Sequence, residues 1–238
     1  MTWNGAKRVY EKAATTAAEN GFAVTLDGRA VRTPGGASLT VPSEALAVAI
    51  AGEWAAQEET IDPHSMPLTQ LACTAFDRVG PRRDAVVDHT AAYGATDLLC
   101  YRADQPEDLR KRQDAAWQPL LDWAEDTYGA PLRITAGIIP AEQPPASVKA
   151  LEEAVAAHGN LELAALSGAT QACGSLIVGL ALTSGHLDAE GAFAVSQLDE
   201  RYQSETWGKD AEAEARRVLL QTDIGAAAQF LDLLRDGG

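Results

Sequence analysis

The sequence predicts an α+β fold: a small N-terminal antiparallel sheet domain with packed helices, followed by a mainly α-helical C-terminal domain. Three observations predict it. Short apolar segments near the N-terminus are punctuated by Asn20-Gly21, Asp27-Gly28 and Gly35-Gly36, turn pairs that favour hairpins because their central residues need positive φ. From Ser43 onward apolar residues recur at helical spacing, and from Pro81 helical patterns dominate. A chain of 238 residues with 46% hydrophobic content has enough apolar side chains for one large core or two small ones. The division expected is an α+β domain over 1–80 and a helical domain over 81–238.

In chain order, "VYEKAAT", "GFAVTL", "RAVRTP" and "ASLTVP" read as strands between those turns. Ser43 is the expected N-cap of a helix through "SEALAVAIAGEWAAQEE", with Leu46, Val48, Ile50 and Trp54 at helical spacing. Asp62-Pro63 and Met66-Pro67 interrupt the chain before "LTQLACTAFDRV", a second helix. "PRRDAVVDHTAAYG" opens with proline and closes with glycine, as helices do. "PEDLRKRQDAAWQPLLDWAEDTYG" repeats the pattern with an internal Pro119 that should kink or split it. "LRITAGIIP" is the one later strand-like run, and "PPASVKALEEAVAAHG" is helical. "LAALSGATQACGSLIVGLAL", Leu163 to Leu182, carries no charge and is long enough to span hydrocarbon. Its Ser, Thr and Gln residues and the lack of a flanking basic cluster favour a buried bundle helix instead. Gly168, Gly174 and Gly179 would let neighbouring backbones approach it closely. A final pair of helices surrounds Trp207-Gly208.

A formal charge of −15 excludes nucleic acid or anionic membrane as the main partner. It suits solvation, and equally a protein client with basic patches. The three cysteines, Cys73, Cys100 and Cys173, form no CxxC, so neither a disulfide framework nor a zinc ribbon is indicated. A reducing compartment follows. The N-terminus lacks the apolar stretch of a secretion signal and carries Glu11 and Glu19, which a mitochondrial presequence would avoid. The expected location is bacterial cytoplasm, or the mitochondrial matrix if a presequence has been removed.

Catalytic motifs are absent: no GxxxxGK[ST], GxGxxG, GxSxG, HxH or HExxH occurs. "TPGG" at Thr33 to Gly36 reads as a hairpin turn. His158 and His186 sit by glycines near expected helix ends, where an imidazole caps carbonyls. Neither a metal nor a cofactor is expected. Cys73 or Cys100 with His89 would be the only nucleophile and base, and a buried structural cysteine is the ordinary reading.

One stretch stands out, "DERYQSETWGKDAEAEARR", Asp199 to Arg217. Projected as one helix from Leu187 to Trp207, it places Gly191, Val195, Leu198 and Tyr202 on one face with Glu205 at its margin. Glu200, Gln203 and Trp207 point away. An aromatic ring beside a carboxylate and an amide is a contact patch, unless Trp207 folds back onto the next helix. Gly208 ends the helix, Asp210 caps the last one, and Glu212 and Glu214 favour its positive end, with Glu212 placed to pair with Arg216. Acids occupied as caps are poor catalysts. The candidate partner-binding residues are Glu200, Gln203, Glu205, Trp207, Asp210 and Glu212; no catalytic residue is assigned.

Several segments, in order and together, resemble one family: assembly chaperones of the catalytic sector of the F-type ATP synthase, the group that binds the α subunit. They are "LDGRAVRTP", "EWAAQ", "MPLTQLACTAFDRV", "TDLLCYRA", "QDAAWQPLLDW" and "WGKDAEAEARR". The resemblance implies a non-enzymatic molecular chaperone that binds and shields unassembled α subunit until it pairs with β, without membrane insertion. Ala55 stands where the family often carries an acid. The family's tryptophan falls on Trp54, which its spacing from Ile50 and Leu46 places in the core. Two other classes remain open from the residues alone: a small-molecule enzyme using Glu205 or Asp210 in an interdomain cleft, and a structural subunit that stays in its complex.

Overall fold

The N-terminal segments pair as their turn residues direct. In the computed structural model, which describes residues 3, 5–137, 141–208 and 210–235, β1 (Ala13–Ala18) runs antiparallel to β2 (Gly21–Leu26) in a register from Ala13↔Leu26 to Ala18↔Gly21. The turn is therefore centred on Glu19-Asn20, one residue earlier than the Asn-Gly pair suggests. Gly21 is the first paired residue, at φ 130, and a side chain there would strike the Val41 carbonyl. The next turn is as expected: Asp27 at φ 48 and Gly28 at φ 78 supply the two positive φ values of a tight hairpin into β3 (Arg29–Ala30). β4 (Thr40–Val41) pairs antiparallel with the other end of β2, through Phe22↔Val41. The first strand begins only at Ala13, and Val9 is 90% exposed.

Ser43 caps α1 (Glu44–Ala55), accepting from the Leu46 amide. The helix packs across β1 and β2. Leu46, Ile50 and Trp54 are buried with Val24, Leu39 and Met66, but Val48 is 54% exposed, because its turn angle carries it away from that seam. Trp54 is 3% exposed, meets the Trp3 ring edge-on at 4.9 Å, and its carbonyl accepts the Tyr10 hydroxyl at 2.7 Å.

Glu53 does something no local pattern announces. Its carboxylate accepts from the Leu68 amide at 2.7 Å and from the Thr69 amide and hydroxyl at 2.8 and 2.6 Å, at the start of α2 (Pro67–Thr74). Gln57, just past the end of α1, donates to Ser65 and accepts from the Asp62 amide. The "EWAAQ" segment thus holds the loop that returns to α2. Past Thr74 the expected helix widens into a π turn over Ala75–Val79 and tightens to a 3₁₀ turn over Gly80–Arg82, before α3 (Arg83–Ala91). Asp77 on the π turn accepts from the Thr33 hydroxyl and the Gly35 amide at 2.6 and 2.8 Å, so the "TPGG" turn is held by a carboxylate.

The residues group into two units: Met1–Arg83 with Asn160–Ala165 and Ala226–Gly238, and Asp84–Gly159 with Leu166–Gly225. In the second, β5 (Tyr101–Arg102) pairs parallel with β6 (Thr135–Ala136). The rest of the strand-like "LRITAGIIP" run, at 138–140, lies outside the described residues. α4 (Glu107–Tyr128) is one helix; Pro119 does not split it, because Gln113, Trp117, Leu120, Leu121 and Ala124 hold its inner face in the core. It ends at Gly129, left-handed at φ 66. α5 (Pro145–Ala156) follows.

The uncharged run from Leu163 to Leu182 is not one helix. α6 (Asn160–Cys173) and α7 (Leu176–Ser184) are separated by Gly174, at φ 66, and by Ser175, which caps α7 through the Val178 amide. Asp97, wholly buried, enforces the break: it accepts from Ser175 Oγ at 2.7 Å and from the Ile177 and Leu99 amides at 3.0 Å. Burial pushes its carboxyl above the ordinary range, against these bonds, which favour the charged form. Close approach at Gly179 is as expected, since a side chain there would meet Thr170 and Leu166. Among the described residues no helix is long and apolar enough to cross a membrane. α8 (Ala189–Ser196), α9 (Leu198–Trp207) and α10 (Ala211–Arg235) complete the chain.

Trp54→Ala should destabilise the protein by about 3–5 kcal/mol, as loss of a large buried aromatic does; the urea midpoint measures it. An unchanged midpoint with lost client capture would make Trp54 a contact residue instead.

Asp97 sets a pH dependence. A folded-state pKa raised above the unfolded value means that the folded state holds the proton more tightly, so the contribution of Asp97 to stability is fullest below about pH 4 and is lost as pH rises through the raised value. The stability difference between wild type and Asp97→Asn should therefore shift against wild type from about pH 4 to about pH 7 in urea titrations. A shift toward wild type would show that the hydrogen bonds outweigh burial.

Candidate client-binding surface

The acidic stretch lies on α9, the turn after it and the start of α10. Leu187 to Trp207 is not one helix: Gln197, at φ −106 and ψ 20, separates α8 from α9. A single helical projection therefore misplaces side chains across the break, and the positions have to be taken from α9 itself.

Tyr202 anchors α9. It is 8% exposed, and its hydroxyl donates to the Asp108 carboxylate on α4 at 2.8 and 2.9 Å. Asp199, on the same side, accepts from Gln113 Nε2 at 2.8 Å, while Gln113 Oε1 accepts the Ala103 amide. Burial pushes the Asp199 carboxyl up, against that hydrogen bond and the Arg102 charge. Arg102 is itself buried and bonded to Asp114 at 2.9 Å. Glu205 is tied down too: Arg112 Nη1 donates to it at 2.7 Å, and the Arg112 guanidinium also lies 5.2 Å from the Tyr202 ring centre. That hydrogen bond holds the Glu205 carboxyl below its ordinary value. The sequence marks Glu205 as marginal to the apolar face; it does not reveal Arg112.

The other candidates stand clear. Glu200, Gln203 and Glu212 are exposed, and Trp207 is 77% exposed, so it does not fold back onto α10. Gly208 closes α9 at φ 95, its amide donating to the Ser204 carbonyl. Asp210 caps α10 through the Ala213 amide at 2.9 Å. The ion pair in that turn is Glu214 with Arg217 at 2.8 Å, instead of Glu212 with Arg216. The Arg217 guanidinium also lies 5.8 Å from the Phe193 ring on α8, which helps to fix the side chain that Glu214 pairs with.

The arrangement does not favour acid–base chemistry. A general acid needs a raised pKa in a pocket; Glu205 is half-exposed with its pKa lowered, and Asp210 is an exposed cap. Cys73, Cys100 and Cys173 are buried thiols pushed up to about 12, which supply no thiolate at neutral pH. His158 Nδ1 lies 2.9 Å from the Ala154 carbonyl near its helix end, whereas His186 stacks on the Trp123 ring at 4.7 Å instead of capping. Among the described residues no group of His, Cys, Asp and Glu could hold a metal ion.

A family profile described as the ATP12 chaperone protein matches residues 7–125. Atp12 from Paracoccus denitrificans superposes with a TM-score of 0.91 and is 45% identical, covering 96% of this chain and 98% of that one. The chain belongs to the ATP12 chaperone family. A mutant of P. denitrificans Atp12p superposes equally, with a TM-score of 0.91 and 44% identity over 96% of this chain and 98% of that chain. The mitochondrial protein atp12 of Schizosaccharomyces pombe is 27% identical over 214 residues, 85% of this chain and 74% of its own length. With the family comes the class of activity: the protein is an ATP synthase assembly chaperone, with bacterial and mitochondrial relatives. The fold the relatives share is the one expected here, a small N-terminal sheet followed by helices.

Asp210→Ala should cost about 0.5–2 kcal/mol, the range for loss of an N-cap, read as a lowered melting temperature. Asp210→Asn should restore most of it, since an amide oxygen caps as well; no restoration would assign Asp210 a role other than capping.

Proposed function

We propose that the chain holds the unassembled α subunit of the ATP synthase through α9 and the start of α10, shielding it until β pairs with it. The observation that carries this reading is Trp207: a tryptophan 77% exposed, in the same stretch as the exposed acids Glu200 and Glu212. A large aromatic kept in water among polar neighbours is the composition of a contact patch, not of a core. A net charge of −15 would steer such a patch toward a basic client surface. The chaperone acts by binding, without turnover, cofactor or nucleotide hydrolysis, wherever the catalytic sector is put together: bacterial cytoplasm or mitochondrial matrix. The residues engaged are Glu200, Gln203, Glu205, Trp207 and Glu212, with Asp210 setting the direction of α10.

The test is aggregation of purified α subunit followed by light scattering, with no ATP present. The chaperone at near-equal molar ratio should suppress it; suppression only with ATP hydrolysis, or of β but not α, would overturn the reading. Glu200→Lys should weaken capture with little change in melting temperature, and the loss should shrink as salt is raised. Glu205→Lys should weaken it as well, while Arg112→Ala, which frees Glu205, should preserve it. Undiminished rescue by a chain reversed at both Glu200 and Glu205 would leave these acids without a client role.

A further inference from the structure

The first half of α10 carries an exposed stripe, apolar except for Thr222, that no described residue buries. Ala211, Ala215, Val218, Leu219 and Thr222 recur at the i, i+4, i+7, i+8, i+11 spacing of one helix face, and all of them are exposed. Val218 and Leu219 are 61% and 66% exposed. The opposite side of the helix is the seated one: Arg217 meets the Phe193 ring and pairs with Glu214, and Ile224 is fully buried. The stripe is thus directed away from α8 by the packing that fixes the helix. Glu212 and Asp223 border one edge, both exposed and neither in an ion pair with another described residue, with Arg216 beyond them. Glu214 lies toward the other edge.

From this geometry we infer that the stripe is a second client-docking face, on which an apolar segment of the unassembled client lies with basic residues against Glu212 and Asp223. This rests on the client reading above and extends it. Exposed side chains at i, i+4, i+7 and i+8 on one side of a helix, here with Val218 and Leu219 the largest, have the spacing that helix-in-groove contacts use for anchors. The acidic border and the net charge of −15 choose a basic flank over an acidic one. Glu212 and the turn that follows Trp207 make the stripe continuous in sequence with the proposed α9 patch.

The experiment uses the full chain and purified α subunit as probe. Val218→Ser with Leu219→Ser should weaken binding at least about tenfold, the effect of removing anchors from an interface core, with melting temperature unchanged because both side chains are already in water. A photo-crosslinking residue at position 219 should attach to α subunit, and hydrogen exchange over 211–223 should slow in the complex. Val9→Ser, at a still more exposed position in the other unit, should leave binding unchanged; an equal loss there would overturn the inference by showing unspecific adhesion. If wild type binds α subunit and the double serine variant binds as tightly, the stripe is not a docking face and the client reading stands. If wild type does not bind α subunit, both fail. A free protein that dimerises in sedimentation, and turns monomeric with the serines, would make a second copy the occupant and overturn the inference. Asp223→Lys should reduce both affinity and its salt dependence; no change in either would remove the basic flank.

Discussion

Unsatisfied amides at helix starts are the constraint on which this structure depends. Each helix begins with N–H groups that lack an internal partner, and this acidic chain meets many of them with side-chain oxygens. Ser43 caps α1, Glu53 reaches α2, Ser175 caps α7 with Asp97 behind it, Asp188 caps α8 and Asp210 caps α10. Capping divides the acids into two kinds. Asp97 and Glu53 are held in place by donors at the cost of desolvation, which raises both. Among the described residues Glu200, Glu212 and Asp223 make no such bond, and all three are exposed. A surplus of unoccupied acids on one helical region, in a chain already far from neutrality, is what an electrostatic contact requires.

How much of this could be read in advance follows from distance along the chain. The Asp27-Gly28 hairpin, the Ser43 and Asp210 caps and the Gly129 and Gly208 stops are all set within four residues, and the sequence shows each of them. Glu205 is different. Its fate depends on Arg112, 93 residues away, just as Tyr202 depends on Asp108 at 94 and Asp199 on Gln113 at 86. Pattern and propensity carry no information about such partners, so Glu205 reads as a marginal acid when it is an ion-paired one.

The misread helix between Leu163 and Leu182 shows a second limit. Gly174-Ser175 is a stop and a start in adjacent residues, a left-handed glycine followed by a capping hydroxyl. The absence of charge around it hides that signal: α7 is buried from Leu176 to Thr183, and where α6 meets solvent within this run it does so through small or uncharged residues such as Gly168 and Gln171. The deciding group is Asp97, 78 residues before Ser175. The break at Gln197 has no comparable signature: a glutamine at bridging φ and ψ is compatible with a helix on either side.

α10 carries the remaining lesson, and it concerns function. Its apolar residues do not share one face: Ile224 and Leu231 are buried, while Val218 lies on a different side and is exposed. A helix that only needed to pack would place them in one stripe. A second stripe exposed to water works against the chain's own solubility unless something covers it in use. A chaperone must also let go, and two branched side chains with an acidic border suit that better than a broad apolar surface. In the proposed contact they would provide modest apolar burial, while the charges would speed encounter and make it sensitive to whatever neutralises or displaces them. Binding of this kind is strong enough to compete with aggregation and weak enough to yield when a larger, more apolar subunit interface becomes available.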